Sequence, residues 1–338
     1  MAVSESVIPE PGCALYPWQK RSWQKLTRYI ETDRVPHALV ISGLDGIGKL
    51  NLALCFANHL LCTGPKTSAF RCGHCDACRL IDAGTHPDLI RIEPPEAGKA
   101  ITIDRIRDLA DTLSLSAQYN RYRIVLLRDA DRLNAAAANA LLKTLEEPGK
   151  GTVLILHTAR SWHLPATIRS RCQRLDIPVP EHRLAVGWLE QKGLSGDCEV
   201  LLAMASCAPL KALAMGITGS LERRNAVFSE WREIAANHSD PVRIAENLSS
   251  LPMRDVLDWI TGWTIDMIRL AMVPSAGSLG NPDLRPALQA EGQKLDLKEL
   301  FRFYEQLIQS ASRIDSPVNA QMLLESILID WYSMQRNR

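Results

Sequence analysis

The sequence predicts an α/β domain with a parallel sheet, followed by two all-helical domains. Short apolar runs alternate with helical patterns from residue 37 onward, and strand signals stop after Pro178-Val-Pro180. The 338-residue chain is too long for one compact core. We therefore expect an α/β domain over residues 1–178, a small helical domain over 179–216 and a larger helical domain over 217–338.

The first domain alternates strands with helices, which is typical of βαβ units whose parallel sheet is covered on both faces. Its predicted strands are residues 37–42, 89–92, 123–127 and 153–156. Its predicted helices are residues 49–61, 104–115 and 134–145.

Residues 181–215 predict two or three short helices, and Gly216 to Ser220 resembles a linker. Beyond this stretch, apolar side chains recur at helical spacing, from Val256 to Leu270 and from Leu297 to Ile308. Such stripes form either an internal core or contacts with other chains, and the pattern alone does not separate these alternatives.

Composition narrows the class of protein. The chain is 46% hydrophobic and 23% charged, with a formal net charge of +1, so it has no global field that would draw it onto nucleic acid. No apolar run approaches the ~18 residues that a membrane span needs. The first residues lack the basic start and apolar middle of a signal peptide. We expect a cytoplasmic protein with no membrane partner, whose nine cysteines serve as thiols or metal ligands.

A glycine-rich segment lies between the first predicted strand and helix, where a phosphate-binding loop belongs. Gly43, Gly48 and Lys49 match the Walker A spacing, in which backbone N–H groups and a lysine hold phosphate oxygens. The next position is Leu50, where a Ser or Thr hydroxyl should bind Mg²⁺. The segment is thus either a degenerate nucleotide site or an ordinary strand-to-helix turn.

Four cysteines form the strongest local signal. Cys72, Cys75 and Cys78 make two overlapping CxxC units, and Cys62 at the end of the preceding helix can supply a fourth thiolate. Four cysteines suit the tetrahedral preference of structural Zn²⁺, and a closed set leaves no position for a reactive water. The spacing does not exclude an iron–sulfur cluster. His74 is expected to face solvent.

Three longer motifs carry a resemblance to a known family. They run from Ala83 to Asp88, from Asn139 to Pro148 and from Leu164 to Cys172. With the cysteines after the phosphate-loop helix, they resemble the bacterial DNA polymerase III clamp loader family of AAA+ proteins. The resemblance implies an AAA+-type P-loop domain with a zinc module inserted at about residues 62–78, a small helical lid and a helical collar.

Within that family, gamma/tau subunits hydrolyse ATP and delta-prime subunits do not, and this chain is similar to the delta-prime branch. Alignment on the Asn139 motif places Arg128 where the Walker B acid should bind Mg²⁺. Leu210 falls where a second sensor arginine would lie, whereas Thr158 matches the first sensor position. Gly43, Gly48, Lys49 and Thr158 would then form only a degenerate nucleotide site.

The resemblance implies that Arg171, in Ser170-Arg171-Cys172, is an arginine finger that reaches a neighbouring subunit's ATP. It also implies gamma/tau and delta subunits as partners, the sliding clamp indirectly, and primed-template DNA. One alternative is a gamma-like subunit that itself binds and hydrolyses ATP. Another is a zinc-containing nucleic-acid-binding module outside any ring, which the nearly neutral charge disfavours.

Overall fold

The computed structural model of the protein describes residues 14–65, 70–96, 98–114, 121–194, 196–314 and 320–336. The chain divides into two compact units, one ending at Leu184 and the other beginning at Ala185. This division lies close to the boundary predicted at residue 178. The further separation of a lid over 179–216 from a collar over 217–338 stays a prediction.

The first unit is built on a parallel sheet. Its described strands are β1 Ala38–Ser42, β2 Leu89–Ile92, β3 Arg123–Leu127, β4 Thr152–Thr158 and β5 Gln173–Asp176, in the order β2-β3-β4-β1-β5. Its helices are α1 Lys20–Glu31, α2 Lys49–Leu61, α3 Asp76–Asp82, α4 Ile103–Ser114, α5 Ala135–Glu146 and α6 Ala166–Arg169. Every residue of β1, β3 and β4 is buried, as expected for central strands covered on both faces.

The sheet order places one loop at a topological switch point. β1 pairs with β4 on one side and with β5 on the other, and all of these pairings are parallel. In open α/β sheets, ligands bind beyond the carboxyl ends of the strands at such a point. The segments that follow β1, β3 and β4 therefore lie at the same edge of the sheet.

The sequence did not predict α1 or β5. Only Leu175 is buried in β5, whose other residues are Gln173, Arg174 and Asp176. The strand consequently has neither an apolar run nor a clear alternation, and its pairing with β1 defines it.

The second unit is helical. α7 His182–Gln191 leads into α8 Cys198–Met204, α9 Pro209–Ile217, α10 Ser220–Ala235, α11 Pro241–Leu248, α12 Met253–Met272, α13 Arg285–Gly292, α14 Leu297–Arg313 and α15 Ala320–Arg336. The predicted linker at residues 216–220 is a tight helix junction, because α9 ends at Ile217 and α10 begins at Ser220. Gly219 makes this turn with φ 64°, a conformation that favours glycine.

Tryptophans fill the core of this unit. Trp231 of α10 stacks on Trp331 of α15 with ring centroids 3.9 Å apart, and Trp263 of α12 lies 5.4 Å from Trp231. All three are essentially inaccessible to solvent. Leu300 and Leu307 of α14 join the same core, whereas Phe301 and Ile308 on the predicted stripe remain exposed. The stripe is thus divided between core and surface.

In the described part of the chain, no single helix has the length and apolar character needed to cross a membrane. The bent pair α8 and α9, at 116° to each other, meets that test jointly by length and composition only.

Candidate functional site

The phosphate-loop segment has the backbone shape of its class. It links β1 to α2, and Gly48 lies immediately before the helix with φ 80°. A Cβ at Gly48 would stand 2.5 Å from the Tyr16 ring, so both the backbone angle and the close approach require glycine there. The sequence correctly predicted the position of the loop, but it did not reveal that an aromatic ring lies against it.

The segment before α1 covers the loop. The Trp18 indole N–H donates to the Ile47 carbonyl at 2.9 Å, and Gln19 Nε2 donates to the Gly48 carbonyl at 2.6 Å. Tyr16 stacks on Trp18 with ring centroids 5.1 Å apart. Trp18 and Gln19 therefore fix two carbonyls of the loop, and Tyr16 packs on its last glycine.

Lys49 is buried and engaged within its own loop. Its Nζ donates to the Leu44 carbonyl at 2.7 Å and to Asp45 Oδ1 at 3.2 Å. Leu50 is also buried and offers no oxygen to a metal. The loop thus keeps its lysine but lacks the hydroxyl that would bind Mg²⁺.

A cation occupies the position after β3 where a Walker B acid is expected. Arg128 Nη1 lies 3.0 Å from Glu93 Oε2, just beyond the end of β2. Asp129 follows in a left-handed conformation with φ 49°, and its backbone N–H donates to His157 Nδ1 at 3.4 Å. The residue at the metal-binding position is therefore an arginine paired with an acid, rather than a free carboxylate.

Thr158, at the end of β4, is held by a local network. Its hydroxyl donates to Asp131 Oδ1 at 2.6 Å, and Arg160 Nε donates to Asp131 Oδ2 at 2.9 Å. The Arg160 backbone N–H in turn donates to the Thr158 hydroxyl at 3.0 Å. Asp131 thus connects the predicted sensor threonine to a nearby arginine, and a role for Thr158 toward nucleotide stays a prediction.

Arg171 lies between α6 and β5, with about a third of its side chain exposed. Its Nη2 lies 2.6 Å from Glu146 Oε1 at the end of α5, and its Nη1 donates to the Thr167 carbonyl at 3.0 Å. The sequence did not predict this pair, because the two positions are distant in the chain. The structure therefore presents Arg171 at the surface in a defined orientation.

The four cysteines converge as the spacing predicts. All four sulfur atoms lie within 4.8 Å of one another. The Cys62 and Cys75 sulfurs are 3.9 Å apart, the Cys72 and Cys78 sulfurs 3.9 Å, and the Cys62 and Cys78 sulfurs 3.7 Å. A tetrahedral ion with metal–sulfur bonds of about 2.3 Å separates its ligands by about 3.8 Å. The cluster therefore has the size of a tetrahedral metal site.

The local environment shifts the pKa values of two of the thiols in opposite directions. Burial raises the pKa of Cys78 to about 12. Burial also acts to raise the pKa of Cys75, but hydrogen bonds from Thr63 and from the Cys78 backbone lower it to about 5. Because a bound metal requires thiolates, metal binding to this cluster is coupled to proton release. His74 is exposed, and its Nδ1 lies 2.9 Å from the Cys72 carbonyl, in agreement with its predicted place outside the ligand set.

A parallel sheet with a glycine-rich strand-to-helix loop at its switch point, followed by a helical unit, defines an α/β protein of the P-loop type. The chain is 34% identical over 325 residues to DNA polymerase III subunit delta' of Pseudomonas aeruginosa, covering 95% of this chain and 98% of that protein. The chain belongs to the DNA polymerase III subunit delta' family.

A second relative and two family profiles agree with this assignment. The subunit delta' of Haemophilus influenzae is 33% identical over 259 residues, which cover 76% of this chain and 78% of that protein. Family profiles described as DNA polymerase III, delta subunit, and as its C-terminal part match residues 18–181 and 218–333. A gamma subunit-related protein of Thermotoga maritima covers 93% of this chain and 99% of its own, with a TM-score of 0.47 and 20% identity.

Proposed function

We propose that this chain is a non-hydrolysing subunit of the bacterial replicative clamp loader that supplies Arg171 in trans to a neighbouring ATP site. The observation that carries the proposal is the ion pair of Arg128 with Glu93 at the position of the magnesium-binding acid. A cation beside Mg²⁺ would repel it, and Leu50 cannot replace the missing oxygen ligand. The chain's own loop thus lacks the metal shell that phosphoryl transfer needs.

Arg171 has the properties that a trans-acting cation requires. Its guanidinium is a cation that presents a planar fork of donors, which suits phosphate oxygens. It is partly exposed, and its acidic partner Glu146 is also half-exposed, so the pair is weak enough to exchange for phosphate. A trans arginine of this kind can raise the rate of phosphoryl transfer by ~10³–10⁵.

Zinc is the metal that we propose for the cysteine cluster. Thiolates are soft ligands, and four of them at these separations match the tetrahedral coordination of structural zinc. Four protein ligands leave no site for a water nucleophile. The ion would hold the segment after α2 in place and would take no part in a reaction.

The family assignment supports the remaining parts of the proposal. We infer that the chain assembles with gamma/tau and delta subunits in the cytoplasm, and that it helps to load the sliding clamp onto primed-template DNA. The clamp would be contacted mainly through delta. ATP would be bound and hydrolysed at the gamma/tau subunits.

The first test separates this proposal from a gamma-like ATPase. The purified chain, loaded with zinc and supplied with Mg²⁺ and ATP, is expected to release phosphate no faster than background. A steady-state phosphate assay measures the rate. Turnover that depends on Mg²⁺ and is abolished by Lys49→Ala would establish the gamma-like alternative instead.

The second test uses the reconstituted complex with gamma/tau, delta, clamp and primed DNA. Arg171→Ala is expected to lower the DNA-stimulated ATPase, because the site facing this subunit loses its trans cation, and Arg171→Lys should restore little of it. Arg174→Ala is a matched control, since Arg174 is an exposed arginine three residues away that pairs only with Asp176 among the described residues. Equal ATPase rates for Arg171→Ala and the control would contradict the proposed role.

A further inference from the structure

A cavity of about 840 Å³ lies beside α1 in the first unit. Much of its lining is apolar, contributed by Leu15, Pro17, Trp23, Ile30 and Phe70. Its size falls within the usual range for ligand sites, and one apolar side chain with its neighbouring backbone would fit inside it. The proposed function makes no use of this cavity.

Trp23 lines the cavity and is nearly buried, with 5% of its surface exposed. One face of its indole stacks on Phe70 with ring centroids 5.2 Å apart. Its Nε1–H is buried and has no hydrogen-bond partner among the described residues. Trp23 therefore contributes the apolar part of its ring to the cavity wall.

The adjacent face of α1 is basic. Arg21, Lys25 and Arg28 are exposed, and none of them forms an ion pair with a described residue. Residues 20–34 contain five Lys or Arg and two Asp or Glu, a net charge of +3 within a chain whose total is +1. The face of α1 beside the cavity is therefore locally positive.

We propose that this cavity and the basic face of α1 bind an acidic peptide segment of a partner protein through one apolar anchor side chain. The anchor enters the cavity against Trp23 and Ile30. The peptide's carboxylates lie over Arg21 and Arg28. Charge complementarity favours a peptide that is acidic. Burial of the anchor side chain determines which residue of that peptide occupies the cavity.

The same basic face would also attract nucleic acid, but the cavity favours a peptide. Bases bind to exposed aromatic faces, whereas the Trp23 face is covered by Phe70. A concave apolar site next to cations suits an apolar side chain flanked by carboxylates.

The test measures fluorescence anisotropy of labelled 12-residue peptides with the full chain in the absence of nucleotide. Each probe carries four acidic residues and one test residue, which is Leu, Ile, Phe or Trp. A matched probe has Ser at that place, and a labelled 12-nucleotide oligothymidylate represents nucleic acid. At least one anchored peptide is expected to bind about tenfold or more tightly than the Ser peptide.

Two variants locate the site. Arg21→Glu with Arg28→Glu should weaken all acidic probes, whereas the exposed pair Lys298→Glu with Arg302→Glu on α14 serves as the matched control. Thr27→Trp, which fills the cavity from α1, should abolish the advantage of the anchored peptide and leave binding of the Ser peptide unchanged. Thr27→Ser is its control, and circular dichroism verifies the fold of each variant.

Three outcomes would overturn the proposal. The Ser peptide could bind as tightly as every anchored peptide, in which case the cavity plays no part. The oligothymidylate could bind more tightly than any peptide and lose affinity with Arg21→Glu and Arg28→Glu, which would assign the face to nucleic acid. Finally, Thr27→Trp could leave the anchored peptide's advantage intact, which would place its binding elsewhere.

Discussion

The two ends of α2 carry two sites that differ in what they retain. At its N-terminal end, the phosphate loop keeps its glycines and Lys49, but Leu50 provides no metal ligand and Tyr16 packs on the loop. At its C-terminal end, Cys62 joins three other thiols at separations that suit a metal ion. One end thus has the backbone shape of a phosphate loop but no hydroxyl for Mg²⁺, and the other brings four thiols to the spacing of a metal site.

This difference shows which part of each site the fold depends on. The loop turns the chain from β1 into α2, and that turn needs glycine at Gly48 whether or not a phosphate binds. The cysteine cluster ties Cys62, at the end of α2, to Cys72, Cys75 and Cys78, and a metal held by these thiols would contribute directly to the stability of the segment. A glycine-rich motif can therefore persist for structural reasons, whereas four convergent thiols indicate a metal.

The largest effect on stability is expected from a substitution in the cysteine cluster at the C-terminal end of α2. Cys78→Ser should abolish stoichiometric zinc and lower the free energy of unfolding of the first unit by more than about 4 kcal/mol, because metal binding contributes directly to folding. Elemental analysis and denaturant unfolding measure the two quantities. Cys198→Ser, at a buried cysteine of the second unit, should leave the zinc content unchanged. If Cys78→Ser retained full stability, the cluster would not be a structural metal site.

A smaller effect is expected at the loop. Gly48→Ala should lower the free energy of unfolding by about 3 kcal/mol, because it adds left-handed strain and a clash with the Tyr16 ring. Gly84→Ala is a matched control, since Gly84 has φ 71° and no atom within 4 Å of an added Cβ, so only the strain of about 1 kcal/mol applies.

A double-mutant cycle measures how much of the expected effect of Gly48→Ala comes from the Tyr16 ring. In a Tyr16→Ala background, Gly48→Ala should cost about 2 kcal/mol less than it does in the parent, because the clash with the Tyr16 ring is gone. Thermal and denaturant unfolding of the four proteins give the coupling. Strict additivity would mean that the segment before α1 does not cover the loop in solution.

The smallest effect is expected at Asp45. Asp45→Asn removes the acid 3.2 Å from Lys49 Nζ, but the Asp45 side chain is largely exposed, so stability should change by less than about 1 kcal/mol. Titration with labelled ATP should detect no gain in affinity, because Leu50 and the Tyr16 cover remain. Tight ATP binding by this variant would show that Asp45 alone prevents the loop from binding nucleotide.

The sequence predicted the parts of this molecule that depend on local pattern. The buried apolar runs of β1, β3 and β4 indicate central strands. The spacing of Cys72, Cys75 and Cys78 indicates a metal site. In both cases the prediction depends only on residues that are close together in the sequence. The sequence did not predict β5, because a strand with one buried residue shows no apolar pattern.

Contacts between distant residues were not predictable in the same way. The pairing of Arg171 with Glu146, of Arg128 with Glu93 and of Thr158 with Asp131 joins exposed or polar residues from different elements. Polar side chains have several possible partners, and only the tertiary arrangement of the strands and helices selects one. The cover of Tyr16 on the phosphate loop belongs to this group as well.

The tryptophan stack of the helical unit has a consequence for biosynthesis. Trp231 lies in the core against Trp331, and the Trp331 indole N–H donates to the Trp231 carbonyl at 3.3 Å. While the ribosome is still making α15, α10 lacks the ring that covers its central side chain. The helical unit can therefore complete its core only after α15 has emerged, and until then the Trp231 face of α10 stays uncovered.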